Sequence, residues 1–304
     1  MEYHRPVLLQ ESVEAMGIKP DGVYVDVTFG GGGHAALIVS KLTTGKLYGF
    51  DQDRDAEEQS GKLAGSNFEF VRANFRDLKK YLRLYGIKQV DGVLADLGVS
   101  SHQFNVPERG FSTRFDGPLD MRMNPEAGIT AKEVLETYSE EQLHRIFGMY
   151  GEVKNAKTLA RTIVEKRARQ PFETISDFKQ GISSCTPKGK ENKYLAQVFQ
   201  ALRIEVNDEM KALEEMLEQA TEVLKPGGRL VVIAYHSLED RLVKNFIAKG
   251  KFFGEVEKDL FGNERKPLDA VTRKPIVPSE QELLDNSRSR SAKLRVAVKR
   301  EKND

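Results

Sequence analysis

The sequence predicts an α/β fold: an open, mainly parallel sheet built from the two ends of the chain and interrupted by an all-helical insertion. Three observations predict it. Short β-rich runs alternate with helical stretches over the first hundred residues, the rhythm stops after Asn105, and it resumes at Arg229. Helices between successive strands imply crossover connections, hence parallel pairing with helices on both faces.

The run Val23 to Thr28 reads as the first strand, and it breaks into Phe29-Gly30-Gly31-Gly32-Gly33-His34 before a helix-like stretch from Ala35. Lys46 to Phe50 reads as a second strand ending at Asp51, Phe68 to Arg72 as a third, and Val90 to Ala95 as a fourth ending at Asp96. Ligands of such sheets sit at the carboxyl ends of the strands. Gly30 to His34, Asp51, Asn74-Phe75 and Asp96 all fall there. A Gly- and Pro-bearing loop from Arg109 to Pro125 follows, with helical candidates at 130 to 138, 139 to 149, 155 to 168 and 174 to 183.

From Tyr194 to Leu224 a long helical region is expected, bent near Asn207, with Met210, Leu213, Leu217, Ala220 and Leu224 forming a core-facing stripe. Lys225-Pro226-Gly227-Gly228 is expected to stop that helix, Arg229 to Ala234 to resume the sheet and Lys293 to Val298 to complete it. Residues 1–106 and 207–304 thus form one discontinuous domain, and 107–206 an inserted helical domain expected to recognise substrate.

With 39% hydrophobic and 31% charged residues in 304, the composition excludes a wholly disordered chain. No apolar run approaches the ~20 residues needed to cross a bilayer, and Met1 to Gln10 lacks a signal peptide's basic and apolar regions. A cytoplasmic protein without a membrane partner is expected. The single Cys185 excludes an internal disulfide and a cysteine-rich zinc site, leaving packing as its role.

Charge is uneven along the chain. Between Lys154 and Lys193 ten bases face four acids, and between Arg288 and Lys302 seven face one, so each segment carries a local +6 despite a formal net charge of +1. Such clusters suit a phosphate backbone or coat solvated helix faces.

A glycine turn between strand and helix lets a ligand approach the backbone closely. Gly30-x-Gly32-x-x-Ala35 with Asp51 downstream matches the dinucleotide fingerprint and serves NAD and S-adenosylmethionine equally. Two features favour the methyl donor. Asp26 lies four residues before Gly30, as in class I methyltransferases, and Leu224 to Leu230 resembles the turn before the fifth strand of that Rossmann-like fold. An NAD-dependent oxidoreductase stands as the alternative enzyme. A noncatalytic ribosome-binding factor that retains a donor pocket would accommodate the basic clusters.

Ser100, Ser101 and His102 lack the nucleophile elbow of a hydrolase. His236, Glu239 and Asp240 read as a helix-start cluster with Asp240 pairing Arg241, or as substrate contacts. No ligand set demands a metal.

Longer words sharpen the reading. They are His4-Arg5-Pro6-Val7-Leu8-Leu9, Thr28 to His34, Asp96-Leu97-Gly98-Val99-Ser100-Ser101, Arg109-Gly110-Phe111-Ser112, Asp116 to Met123, Phe199-Gln200-Ala201-Leu202-Arg203-Ile204 and His236-Ser237-Leu238-Glu239-Asp240-Arg241. Together they resemble the RsmH (MraW) family of 16S ribosomal RNA cytosine-N4 methyltransferases, from residue 4 to Arg300.

The resemblance implies S-adenosylmethionine as methyl donor and the 16S RNA of the small ribosomal subunit, in its decoding-centre region, as partner. Oligomeric state stays open, a homodimer included. By resemblance Gly32, Gly33 and His34 line the methionine and ribose side of the donor, Asp51 holds the ribose hydroxyls, Phe75 packs on adenine, and Asp96 and Gln103 also contact the donor. Asp96, or a carbonyl beside it, is the expected catalytic group, with donor binding alone as the alternative role of Asp96; His236 and Asp240 are expected near substrate, and Arg161, Arg167 and Arg169, with the Arg288 to Arg300 tail, at RNA phosphates. One departure matters. Many exocyclic-amine methyltransferases carry Asn/Asp-Pro-Pro-aromatic after the fourth strand, whereas this chain has Asp96-Leu97-Gly98-Val99, without prolines or an aromatic.

Overall fold

The computed structural model describes residues 6–63, 65 and 67–301, so His4, Arg5 and Lys302 lie outside the described residues. Two compact units emerge: Met1–Gly98 together with Met210–Asp304, and Val99–Glu209.

In chain order the elements are α1 (Leu9–Ala15), β1 (Val23–Asp26), α2 (Gly33–Val39), β2 (Lys46–Asp51), α3 (Arg54–Ser60), β3 (Phe68–Arg72), α4 (Leu78–Leu84), β4 (Val90–Asp96) and α5 (Ser101–Asn105). Then come α6 (Ala131–Thr137), α7 (Glu140–Met149), α8 (Ala156–Arg167), α9 (Ile175–Gly181), α10 (Glu191–Asn207) and α11 (Glu209–Val223). The chain closes with β5 (Leu224–Ala234), α12 (Ser237–Lys249), β6 (Leu268–Ala270), α13 (Glu280–Asp285) and β7 (Lys293–Lys299).

In the first unit the strands order as β3-β2-β1-β4-β5-β7-β6. The first five pair in parallel, as the alternation of strands and helices requires, and β7 runs antiparallel to both β5 and β6. This is the Rossmann-like class I architecture expected from the sequence. Alternate residues divide between two cores, since side chains of a strand point to opposite faces. Val93, Ala95, Leu230 and Val232 join one with Leu213, Leu217 and Phe246, whereas Leu94, Val231 and Ile233 join the other with Val13 and Ile38. The expected stripe on α11 is therefore core, with Met210 packed at its edge.

Two details differ from the sequence reading. Lys225 to Gly228 do not separate helix from strand, because β5 already begins at Leu224, opposite Val90, and the register then jumps to Gly92 opposite Arg229. The extra residues bulge out of β5, with Gly227 at φ +75° and Lys225 Nζ 2.7 Å from Asp91. Three-residue β6 was not anticipated, being too short to show alternation.

The second unit is helical around its own core, which includes Phe147, Leu159, Phe178 and Leu202. Its helices start where the sequence carries capping pairs: Thr130 with Glu133, Ser139 with Gln142, and Thr174 with Asp177. The expected bend near Asn207 is a full break at Asp208, whose left-handed φ of 48° ends α10. Cys185 is buried, its Sγ 3.2 Å from Thr162 Oγ1, which is a packing role.

Candidate active site

The loop after β1 is shaped by backbone conformation. Gly30 and Gly32 adopt φ of +52° and +78°, in the left-handed region that disfavours side chains. At Gly33 the constraint is space, because a Cβ there would lie 2.2 Å from Pro6. The loop is tied to the end of β2, where Asp51 Oδ2 accepts the Gly30 amide at 2.8 Å and Oδ1 accepts that of Asp53 at 2.9 Å. His34 follows in the first turn of α2, buried, with no hydrogen-bond partner for Nε2 among the described residues.

Asp96 stands at the carboxyl end of β4. Its amide donates to Thr28 Oγ1 at 2.6 Å, its Oδ1 accepts the Tyr235 hydroxyl at 2.6 Å, and its Oδ2 lies 3.8 Å from His34 Nδ1. Asp26, on β1, is 1% exposed and accepts from the Thr28 amide. The carboxyl ends of three strands thus carry three carboxyl groups with one imidazole among them. Desolvation raises Asp26 and Asp51 to about 6 and Asp96 to about 7, the last opposed by the Tyr235 hydrogen bond and reinforced by Glu239. Burial also pushes the His34 imidazole below its ordinary range, with Asp26 opposing.

Phe75 lies one residue beyond Asn74, half-buried against the core that holds Val71 and Leu78, while Asn74 Nδ2 reaches Gln52 at 3.0 Å. Gln103 belongs to the second unit, where it is buried and accepts the Ser100 amide at 3.0 Å, completing the capping box of α5. Its structural engagement is therefore plain.

At the end of β5, His236 caps α12. Its Nδ1 accepts the Glu239 amide and its Nε2 lies 3.1 Å from Glu239 Oε1. Asp240 turns to β7, not to Arg241 as the sequence suggested: Arg295 grips it at 2.7 and 3.2 Å, with Lys293 at 3.4 Å. Burial alone would raise its pKa, but these two cations outweigh it and hold the carboxyl below its usual range. Lys299 donates to Thr221 O and Arg300 forms a bidentate bridge to Asp269, so these tail bases are tied within the fold.

The three arginines of the second unit separate. Arg167 donates to the carbonyls of Leu135 and Tyr138, closing the end of α6. Arg161 is exposed and stands 3.8 Å from Glu140, and Arg169 is exposed with Lys154, Lys157, Lys188 and Lys193.

Sequence reasoning passed over Tyr235 and Glu239 as a pair. Glu239 is 2% exposed and accepts the Tyr235 amide at 2.8 Å, fixing the backbone that carries the tyrosine. The available signal was position, since Tyr235 follows the last residue of a predicted strand and so belongs to the ligand end of the sheet.

Comparison with known proteins points the same way. The family model described as the MraW methylase family matches residues 1–300. Proteins named ribosomal RNA small subunit methyltransferase H are 58% identical in Cytophaga hutchinsonii, covering 97% of this chain and 99% of that protein, and 57% identical in Christiangramia forsetii, covering 98% of each. The protein of that name in Parabacteroides distasonis is 58% identical over 98% of this chain and 97% of its own length.

Proposed function

Because the chain belongs to the MraW methylase family, we infer that it transfers a methyl group from S-adenosylmethionine to the exocyclic N4 of a cytidine in 16S ribosomal RNA. The observation that carries this reading is the meeting of the Gly30 to His34 loop with Asp26, Asp51 and Asp96 at the carboxyl ends of β1, β2 and β4. These residues fit the donor. Strand-end carboxyls with no lysine or arginine among their described neighbours suit a sulfonium cation, the remaining lone pairs of Asp51 suit a ribose diol, and His34 Nε2, which has no hydrogen-bond partner among the described residues, suits a polar group. Gly32 and Gly33 would line the methionine side and the half-buried Phe75 ring the adenine. Gln103 stays a proposed donor contact through the family resemblance alone.

The donor supplies an electrophilic methyl group with a neutral thioether as leaving group, so the protein's task is alignment and electrostatics. Cytosine N4 is a weak nucleophile because its lone pair is delocalised into the ring. An acceptor beside the amino group favours the charge-bearing nitrogen of the transition state, and Asp96 Oδ2 offers one. A carboxyl titrating near neutrality is suited to take the proton that leaves nitrogen after transfer.

RNA binding belongs to the exposed bases of the second unit, among them Arg161 and Arg169, with bases of the inserted helices reaching phosphates and Arg167 holding the fold beneath them. Near the target, His236 is available through its position at the end of β5, while Asp240 acts through its bridge to Arg295. The test is incubation of the protein with methyl-labelled donor and small subunits lacking the modification. Label in N4-methylcytidine of the RNA supports the reading, and label only in another nucleoside, only in protein, or none, overturns it.

A further inference from the structure

The stretch Asp96-Leu97-Gly98-Val99 carries no aromatic residue, yet the end of β4 is not without one. Tyr235, at the end of the neighbouring β5, reaches across so that its hydroxyl donates to Asp96 Oδ1 at 2.6 Å. The side chain is held at both ends, since its backbone amide donates to Glu239 Oε2 at 2.8 Å and follows Ala234, buried in the sheet. Beside the ring stands Gly98, at φ +94°, where an added Cβ would lie 3.6 Å from Tyr235 Cδ2. Anything larger than that Cβ would begin to cover the ring. Glycine adds no side chain on that side, and the residue is half-buried: it packs against the core that holds Val231 and Ile233, its hydroxyl is engaged, and part of its surface stays open.

We propose that Tyr235 both orients Asp96 and presents the aromatic surface on which the target cytosine is stacked, so that β5 supplies in space what the sequence after β4 lacks. This rests on the reading of the protein as a cytosine-N4 methyltransferase. The hydrogen bond takes one oxygen of Asp96 and fixes the carboxyl plane. Oδ2, 3.8 Å from His34 Nδ1 and too far for a hydrogen bond, keeps a lone pair for the cytosine amino group. In the transfer the N4 lone pair forms the new N–C bond, the electron pair of the C–S bond stays on sulfur, and one N4 proton passes to Asp96 Oδ2 and then to solvent. Stacking a planar base on a tyrosine held at both ends limits its rotation, so the amino group is presented edge-on to that oxygen.

Among the described residues, the groups facing Asp96 are Tyr235 and Glu239 from the β5 side and His34 and Asp26 from the β1 side. Among these the tyrosine hydroxyl lowers the carboxyl's proton affinity, and Glu239 raises it. Removing the hydroxyl therefore moves the acid limb of the rate profile to higher pH.

Two variants separate the two roles. Tyr235→Phe keeps the ring and loses the hydroxyl, and Tyr235→Leu loses both. Single-turnover and steady-state methyl transfer to undermethylated small subunits is measured from pH 5.5 to 9, with calorimetric binding of the demethylated donor product as the control for an intact fold. Tyr235→Phe is expected to lower kcat by about tenfold or more, with KM for the subunit within about twofold of wild type and the acid limb shifted upward. Tyr235→Leu is expected to add a rise of roughly fivefold or more in that KM, in the range of a lost base–aromatic stack. In an Asp96→Asn background the additional kcat loss from Tyr235→Phe should disappear.

A Tyr235→Phe profile superimposable on wild type overturns the orienting role. Equal subunit KM for the Phe and Leu variants overturns the stacking role. Loss of product binding in Tyr235→Phe makes the tyrosine structural and overturns both. Wild-type protein that methylates RNA at another base refutes the functional reading instead, an outcome distinct from all three.

Discussion

Asp26, Asp51 and Asp96 are carboxyls held largely protonated at pH values where exposed ones are ionised, because each loses solvent on folding. The folded chain therefore binds protons there that the unfolded chain releases. Their stabilising share is complete below about pH 4 and is lost as pH rises through about 6 to 7. Asp26→Asn should accordingly raise Tm at pH 8 while leaving it little changed at pH 4. A melting series across that range checks this, and an equal shift at both pH values would contradict it.

The same carboxyls should favour the sulfonium donor over its thioether product, which lacks the charge on sulfur, only when ionised. Titration calorimetry at pH 8 and pH 5.5 should show the ratio of the two affinities shrinking at the lower pH, whereas a constant ratio would remove the electrostatic role. Asp51 and Asp96 were legible in the sequence because each ends a predicted strand, and Asp26 because it lies four residues before Gly30. Tyr235 was not, since its partner is 139 residues away and only the pairing of β4 with β5 brings them together.

Among the elements, the parallel strands were the most readable part of the chain, because buried strands between helices leave a strong apolar signature. The Leu224 to Gly228 bulge and the short β6 were not. In the bulge a turn motif sits inside a ladder, and in β6 three residues hold too little pattern.

The inserted helices were expected at 130 to 138, 139 to 149, 155 to 168 and 174 to 183, near where they stand, but the fate of their bases was not legible, because charge alone does not distinguish a surface cation from one that closes a helix. Arg167→Ala should remove the hydrogen bonds to Leu135 and Tyr138 and lower stability by about 1–3 kcal/mol, read as a fall in the denaturant midpoint. Arg161→Ala with Arg169→Ala should leave that midpoint unchanged while weakening small-subunit binding and reducing its salt dependence. Should the double variant lose stability instead, those two bases are structural as well. Gly110→Ala is a further test of the loop Arg109 to Pro125. It places a Cβ 2.4 Å from Pro118 O at φ +74°, and unfolding should become easier by about 1–3 kcal/mol.

For the whole molecule, the discontinuous sheet unit holds the carboxyls and the glycine loop, and the inserted unit has its own core and exposed bases, so the proposed function places chemistry in the first and recognition in the second. The sequence placed the insertion at 107–206 from where the strand rhythm stops and resumes, and the compact unit spans Val99–Glu209. A change of periodicity marks where strands end, not where a short helix such as α5 packs. The cofactor class was legible from short local motifs, whereas the acceptor was reached only through the long words shared with a family. Delivery of a methyl group by this sheet unit to a cytosine amine is tested most directly by nucleoside analysis of small-subunit RNA after reaction with labelled donor, using wild type and Asp96→Asn. Wild type should place label in N4-methylcytidine and the variant should do so about a hundredfold more slowly, with demethylated-product binding retained. Label in any other nucleoside, or full turnover by Asp96→Asn, would contradict it.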